Sequence, residues 1–430
     1  MDGIKRYVVE LLRAFSTMNL DDNLDLDVMI LDKVYPLAEL PERCLSLNEK
    51  ASEQSQIHKW LRSFRSLVPP ILLHPIKWLI PAWAALRFLG MEKSDIRVPV
   101  LDLTGRKLLL LILPPVLVPE RFVQFLWARV DPAPYDLIHL TLPNNHHFMA
   151  PTSTPVLVTV HDLCHIACPE YQTRANSVTL KMGLDRAVAG GANFLAVSEA
   201  TQVQLIDEYK LDPGCVKTVH NGCSSEHFHP VEDSAIRAQV CRKYQIPESP
   251  FLLTLSTIEP RKNLTLTIEA FKLLVDELVD SDMNLVIAGA RGWKSREVMR
   301  TAKASERIYL TGYIDDADLA AVYSEARGFI YASHYEGFGL PLLEAMFCGV
   351  PVIYGNNSSM PEIVGDAGLA ADSRDVRDIT RQMRRLVCDD QLAESLGCLA
   401  LERATSFSWD RTAAQTLAAY DKGAAWRRNI

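Results

Sequence analysis

The most hydrophobic region of the sequence, 57–118, contains no apolar stretch of the roughly 20 residues that a membrane-spanning helix requires, because Pro75, Lys77, Pro81 and Arg87 interrupt it. Positive charge is also in deficit. The formal net charge of −8 removes support for a general nucleic-acid role and leaves only local basic patches. The nine cysteines are odd in number and scattered, without disulfide-like spacing, so a reducing cytoplasm is the expected setting. No secretory signal is expected, because Met1 leads directly into an amphipathic pattern. No short-period repeat is visible. What is present is a globular composition, 48% apolar and 23% charged, over 430 residues, enough for two domains.

The periodicity predicts a helix over 4–15 and a strand over 24–31, then an irregular hydrophobic insertion over about 32–130. From Tyr135 the pattern becomes regular: strands at 136–142, 155–160, 193–197 and 215–220, with helices at 174–189 and 199–209. Residues 223–250 read as a connector holding one helix. A second block follows, with strands at 251–255, 284–288, 307–310, 328–331 and 351–354. Helices at 263–279, 295–304, 316–326 and 341–348 separate them. Alternating strands and helices predict parallel sheets, so the expected fold is α/β, two Rossmann-like domains facing across a cleft. The expected divisions are 1–224, 225–409 and a last helix, 410–430, crossing back to the first domain.

The chemistry concentrates in Ser333-His334-Tyr335-Glu336-Gly337-Phe338-Gly339-Leu340-Pro341-Leu342-Leu343-Glu344. Glu336 falls on a strand-end loop and Glu344 in the first turn of a helix opened by Pro341. Gly337 and Gly339 read as a mobile turn. The amides of Phe338, Gly339 and Leu340, with the positive helix end, suit a phosphate. A second loop, Glu259-Pro260-Arg261-Lys262-Asn263, follows the first strand of the second block. Before an Asn263 cap, Arg261 and Lys262 can turn to one anion and form a diphosphate clamp; the alternative is a solvated basic loop. Gly312-Tyr313 ends another strand, where the Tyr313 backbone is placed to meet a base edge, or is an ordinary turn. His161 follows a strand of the first block and is expected to face the cleft from the opposite wall; a packed or capping histidine is the plain alternative. His161, Cys164, His165 and Cys168 have ligand types suited to zinc, but their strand-to-loop context disfavours tetrahedral geometry.

Together these stretches resemble the retaining, GT-B-fold glycosyltransferases of family 4. The resemblance runs from Val156 to Trp409 and rests on Thr159-Val160-His161-Asp162, Val197-Ser198-Glu199, Asn221-Gly222, Glu259 to Asn263, Gly312-Tyr313, and Glu336 through Pro361-Glu362-Ile363-Val364-Gly365-Asp366-Ala367-Gly368. The Glu-Pro-Arg-Lys-Asn version resembles the branch rich in bacterial surface-polysaccharide mannosyltransferases. The resemblance implies a nucleotide-sugar donor, with GDP-mannose first in expectation, a saccharide acceptor, and no metal or other cofactor; a polyprenyl-linked acceptor is the expectation that would explain the hydrophobic segment 57–118. By the same resemblance Glu344 binds the ribose hydroxyls, Glu336 with the Phe338 and Gly339 amides holds the sugar and diphosphate, Lys262 with Arg261 neutralises the leaving diphosphate, and His161 contacts the donor sugar.

The sequence departs from the family in two places. An arginine common four residues before the lysine is replaced by Ile258 or Thr257, with Arg261 as the compensating cation. The first strand and glycine loop are missing before the first helix, so Gly3 stands as the remnant approaching the donor phosphate, and an upstream start is expected. Two alternatives remain open at this point: a weakly active nucleotide-sugar-binding subunit, and a GT-B-fold epimerase. In 57–118, Lys59, Arg62, Arg65, Lys77 and Arg87 lie among leucines and aromatics, the composition of an element resting on anionic lipid on the inner face of the membrane. The competing reading there is an acceptor-domain core.

Overall fold

The computed structural model describes residues 3–18, 27–30, 33–36, 135–143, 153–278 and 281–426. These belong to one compact unit, Met1–Leu45 with Asp131–Ile430. Helix α1 (Gly3–Thr17) buries Tyr7, Leu11, Ala14 and Phe15, which recur at helical spacing on one face. Strands β1 (Asp27–Ile30) and β2 (Lys33–Pro36) pair antiparallel as a separate two-stranded sheet. Of the strand expected at 24–31, residues 27–30 are extended; its remainder, and the insertion apart from β2, lie outside the described residues.

The first lobe is a parallel sheet in the order β3 (Ile138–Leu140), β4 (Val156–Val160), β5 (Asn193–Ala196), β6 (Val216–Thr218). Helices α2 (Cys164–Ala167), α3 (Arg174–Ala189) and α4 (Glu199–Tyr209) provide its crossovers. Every residue of the Val-Leu-Val-Thr-Val strand β4 is buried, as expected for a parallel strand covered on both faces. The Ser198 hydroxyl caps α4 by accepting the Thr201 amide at 3.1 Å. Helix α5 (Ser234–Lys243) occupies the connector.

The second lobe has six parallel strands. Starting from β7 (Phe251–Leu255), the chain passes through α6 (Leu264–Glu277), β8 (Asn284–Ala288), α7 (Arg296–Lys303) and β9 (Ile308–Gly312). It then returns by α8 (Leu319–Glu325) to β10 (Gly328–Tyr331), beside β7, and winds the other way. This second arm is α9 (Leu340–Phe347), β11 (Val352–Gly355), α10 (Met360–Val364) and β12 (Gly368–Ala371). The order β12-β11-β10-β7-β8-β9 places the change of direction between β7 and β10. Loops leaving these two strands diverge and open a crevice at their carboxyl ends. Both chemistry-bearing loops, 256–263 and 332–339, leave from this point.

The periodicity located most of these strands and helices within a few residues. It gave no reading of β12, nor of α11 (Val376–Cys388) and α12 (Asp390–Ala404), which cover that side of the sheet. The last helix, α13 (Trp409–Trp426), packs on the first lobe. Trp409 and Ala413 join the α1 cluster of Tyr7, Leu11 and Phe15, while Ala419 meets Leu157, Leu195 and Val219 of the sheet. Its Tyr420 hydroxyl lies 2.7 Å from His139 Nδ1. The chain crosses back at a tight approach: a Cβ added to Gly222 would sit 2.2 Å from the Trp409 amide nitrogen.

Gly222→Ala must push these two backbones apart. Urea titration is expected to show a loss of about 1–3 kcal/mol in unfolding free energy, the usual cost of overpacking. A variant as stable as the parent would contradict this contact.

Candidate active site

The loop after β7 contains a short 3-10 turn, Pro260–Lys262, and ends at Asn263 in the left-handed region with φ of 55°. The sequence suggested a side-chain cap at Asn263. Instead its buried amide donates to the carbonyls of Ala332 at 2.9 Å and Ser373 at 2.7 Å. Both bonds reach across the sheet, so the asparagine ties the basic turn to the loop after β10. A left-handed residue with a short amide suits this junction, since asparagine tolerates that conformation better than most.

The tie brings both cations onto one carboxylate. Lys262 Nζ donates to Glu336 Oε1 at 2.7 Å and to the Tyr331 hydroxyl at 2.7 Å. Arg261 Nη1 donates to Glu336 Oε2 at 2.8 Å and to the Tyr335 carbonyl at 3.0 Å. The same guanidinium also donates to Glu259 Oε1. Burial by itself would raise the pKa of Glu336; Arg261 and Lys262 overcome it and hold the carboxyl at about 2. Burial, reinforced by the neighbouring Arg261, pulls the pKa of Lys262 down against the attraction of Glu336. The backbone of the acidic loop is equally fixed. Ser358 Oγ accepts the Glu336 amide at 2.9 Å, and Ser359 Oγ donates to the carbonyls of Glu336 and Phe338.

The glycines of this loop differ from the mobile turn expected. A Cβ on Gly337 would lie 1.8 Å from the His161 carbonyl oxygen, so this is a close approach between lobes. The Gly337 carbonyl accepts the Ser198 hydroxyl at 2.7 Å, another contact from the first lobe. Gly339, at φ of 108°, turns the chain into α9. The Phe338 side chain is buried against the His220 and Phe407 rings. Leu340 is the first residue of α9, where a helix leaves amides without intrahelical partners.

Glu344 lies farther along α9 and is 3% exposed. The Tyr323 hydroxyl donates to its Oε2 at 3.0 Å, and Arg6 Nη1, from α1, pairs with its Oε1. Gly312 ends β9 at φ of 75°, its carbonyl accepting the Gly289 amide at 2.7 Å. Tyr313 is exposed, and its hydroxyl donates to Asp316 Oδ1 at 3.4 Å. His161 stands against Gly337 through its backbone. Its Nε2 lies 3.0 Å from the Thr141 carbonyl, and the Tyr7 ring meets its imidazole edge-on at 4.8 Å. Gly3 begins α1.

The structure therefore brings Arg261, Lys262 and Glu336 together, sets the His161 backbone against the neighbouring Gly337, and puts Glu344 on the helix that follows. The sequence did not single out Arg6, Tyr323, Tyr331, Ser358 or Ser359. Arg6 stands beside Tyr7 in a stretch read only as helix, and a buried tyrosine partner leaves no mark in a sequence. Glu362 was noted only as part of a motif; its carboxylate accepts the Glu199 and Ala200 amides at the start of α4 and lies 2.5 Å from His220 Nε2. Cys164 and His165 are buried on α2, and both ring nitrogens of His165 lack a hydrogen-bond partner. Among the described residues no three His, Cys, Asp or Glu side chains gather to hold a metal.

Two family models match the chain. Residues 238–401 match the group 1 glycosyl transferases, and residues 99–227 match Glycosyltransferase Family 4. O-antigen chain mannosyltransferase B of Escherichia coli is 35% identical over 267 residues, which cover 61% of this chain and 69% of that protein. The serotype-specific mannosyltransferase WbdA of the same species is 32% identical over 225 residues, 51% of this chain; the match spans only 27% of WbdA. Among solved structures, Anabaena HepE in complex with UDP and glucose aligns with a TM-score of 0.58 at 17% identity, covering 70% of this chain and 80% of that one. Sucrose-phosphate synthase from Thermosynechococcus elongatus aligns at 0.55 with 22% identity, covering 67% and 74%. At these identities the structural matches speak for the fold.

The depressed pKa of Glu336 gives a signed expectation. Its ion pairs contribute stability that is complete above the ordinary value of 4.5 and is lost as pH falls toward about 2. As pH falls through that window the carboxyl is the member of the trio that loses its charge. The difference in unfolding free energy between the parent and Glu336→Gln, followed by urea titration, should shrink steadily from about pH 5 to about pH 2.5. A difference constant with pH would remove the carboxylate from this role.

Proposed function

Because the chain belongs to the group 1 glycosyl transferases, we propose a donor, an acceptor class and a mechanism for it: transfer of mannose from GDP-mannose, with retention, to a glycan or lipid-linked saccharide in surface-polysaccharide synthesis. The observation that carries this reading is the convergence of Arg261 and Lys262 on Glu336 at the strand switch point. A pair of fixed cations at that crevice suits the diphosphate of a nucleotide sugar. The names of the Escherichia coli relatives, both mannosyltransferases and one for O-antigen chains, supply the sugar and the acceptor class.

In this mechanism the diphosphate enters between the basic turn and the start of α9. Lys262 and Arg261 exchange part of their contact with Glu336 for phosphate oxygens, and the amides of Phe338, Gly339 and Leu340 complete the cradle. Negative charge grows on the departing β-phosphate as the glycosidic bond breaks. The two side-chain cations stabilise that charge more than they stabilise the bound donor, which is what lowers the barrier. Glu336, freed from part of its pairing, is placed to accept hydroxyls of the sugar, and His161 to contact the sugar from the first lobe. Glu344 takes the ribose hydroxyls, while Gly312 and Tyr313 line the base side. The acceptor hydroxyl attacks on the face that the phosphate leaves and passes its proton to that phosphate. Stereochemistry is thereby retained without a protein nucleophile. The side-chain cations provide the charge that a divalent ion would otherwise provide. Contact of the segment 57–118 with an anionic membrane would bring a lipid-linked acceptor within reach.

The test is a transfer assay with GDP-mannose against UDP- and ADP-sugars, with the anomer of the product read by NMR. Transfer is expected from GDP-mannose with an α-linked product, and Lys262→Ala should lower kcat by about 10²- to 10³-fold, the usual effect of removing one preorganised charge-stabilising group. Failure of every activated sugar to bind, or an unaffected Lys262→Ala, would overturn the proposal.

A further inference from the structure

Arg6 is the one cation on α1 that reaches the second lobe among the contacts described above. Helix α1 is built into the first lobe: Tyr7 OH lies 3.1 Å from Thr159 Oγ1, and Leu11 and Phe15 pack with Trp409 and Ala413 of α13. From this base Arg6 extends to two carboxylates of the second lobe. Nη1 pairs with Glu344 Oε1, and Nη2 lies 3.3 Å from Asp316 Oδ2. The guanidinium also lies over the Phe228 ring, 5.4 Å from its centroid. Its side chain is 11% exposed, and that of Glu344 is 3% exposed.

The consequence appears at the level of single oxygens. Glu344 Oε2 accepts the Tyr323 hydroxyl, and Oε1 is covered by Arg6. A carboxylate oxygen accepts more than one hydrogen bond, but only from donors that reach it. At 3% exposure Glu344 is sealed, and the element closing it on the first-lobe side is Arg6. A ribose diol can therefore reach Glu344 only by moving that guanidinium.

We propose that Arg6 is an internal competitor for the ribose seat: its guanidinium occupies Glu344 and Asp316 across the cleft until the 2′,3′-diol of a nucleotide donor displaces it. This rests on the reading of Glu344 as the ribose-binding carboxylate. The exchange is balanced, because the diol donates hydrogen bonds to the Glu344 oxygen that the guanidinium leaves, and the released guanidinium is hydrated in the cleft. It also sets donor affinity. A donor that binds only when Arg6 is displaced has an apparent Kd raised by the inverse of the displaced fraction. Removing the guanidinium should therefore destabilise the empty protein, by leaving Glu344 buried without its cation, and at the same time tighten nucleotide binding. A purely structural arginine would produce the first effect without the second.

The experiment is calorimetric titration of the full chain with GDP, UDP and ADP, followed by the 2′,3′-dideoxy form of whichever binds. Arg6→Met and Asp316→Asn are compared with the parent. Arg6→Met is expected to melt at lower temperature yet bind the nucleoside diphosphate about tenfold more tightly, corresponding to a displaced fraction of roughly one tenth. Asp316→Asn, which loosens the second anchor and keeps Arg6, should shift affinity in the same direction by less; it decides the matter if Arg6→Met does not fold. The dideoxy nucleotide should bind all three proteins alike. Unchanged or weaker binding to the variants, or an equal gain for the dideoxy form, overturns the role of Arg6 while leaving the donor reading in place. If neither parent nor variants bind any of the three nucleotides, the donor reading falls and this proposal falls with it.

Discussion

Two cations meet one carboxylate where β7 and β10 part, and the geometry of the second lobe is arranged around that meeting. Arg261 and Lys262 are neighbours in sequence and would diverge on a regular helix. They converge because a 3-10 turn and a left-handed asparagine end the loop, and because the Asn263 amide is pinned to Ala332 and Ser373. Glu336 is held from the other side by Ser358 and Ser359. A buried carboxylate without partners would be protonated or would unfold its surroundings. Here burial is offset by two charge-assisted contacts, and the group remains an anion.

Such a neutralised cluster is suited to an exchange of anions. On the proposed function, a phosphate entering the crevice would replace a carboxylate as partner of the cations, and no new charge would be buried alone. The same logic appears at Glu344, where the partner is Arg6 of the first lobe. In both places the buried charges are satisfied internally, and the cost of releasing them would oppose any gain on binding a ligand there.

The contacts between the lobes mix polar and apolar groups. Gly337 packs on the His161 carbonyl, Ser198 donates to the Gly337 carbonyl, and the Tyr335 hydroxyl donates to Gln204 at 2.7 Å. The Tyr171 and His334 rings stack at 5.0 Å, and Glu362 caps the first turn of α4. Each joins the loop after β10, or the helix after β11, to the loops and helices that follow the strands of the first sheet. The catalytic candidates on both sides therefore share a border instead of facing across open solvent.

The sequence by itself determined the alternation of strands and helices, the two sheets, and the stretches that carry the chemistry. These follow from hydrophobic period and from local rules for glycine, proline and capping residues, which act over a few residues. The two loops that bring Glu336, Lys262 and Arg261 together were also legible, because each follows a strand of the second block. The sequence did not reveal β12, α11 and α12, which lie between the last strand read, 351–354, and the closing helix. The partners are what only the tertiary structure decided. Tyr323 on Glu344, Tyr331 on Lys262 and Arg6 across the cleft are separated from their mates by 21, 69 and 338 residues. Gly337 likewise looked like a flexible turn until the first lobe was in place against it. Burial and pairing over such distances depend on how the two sheets come together, and no local pattern records that.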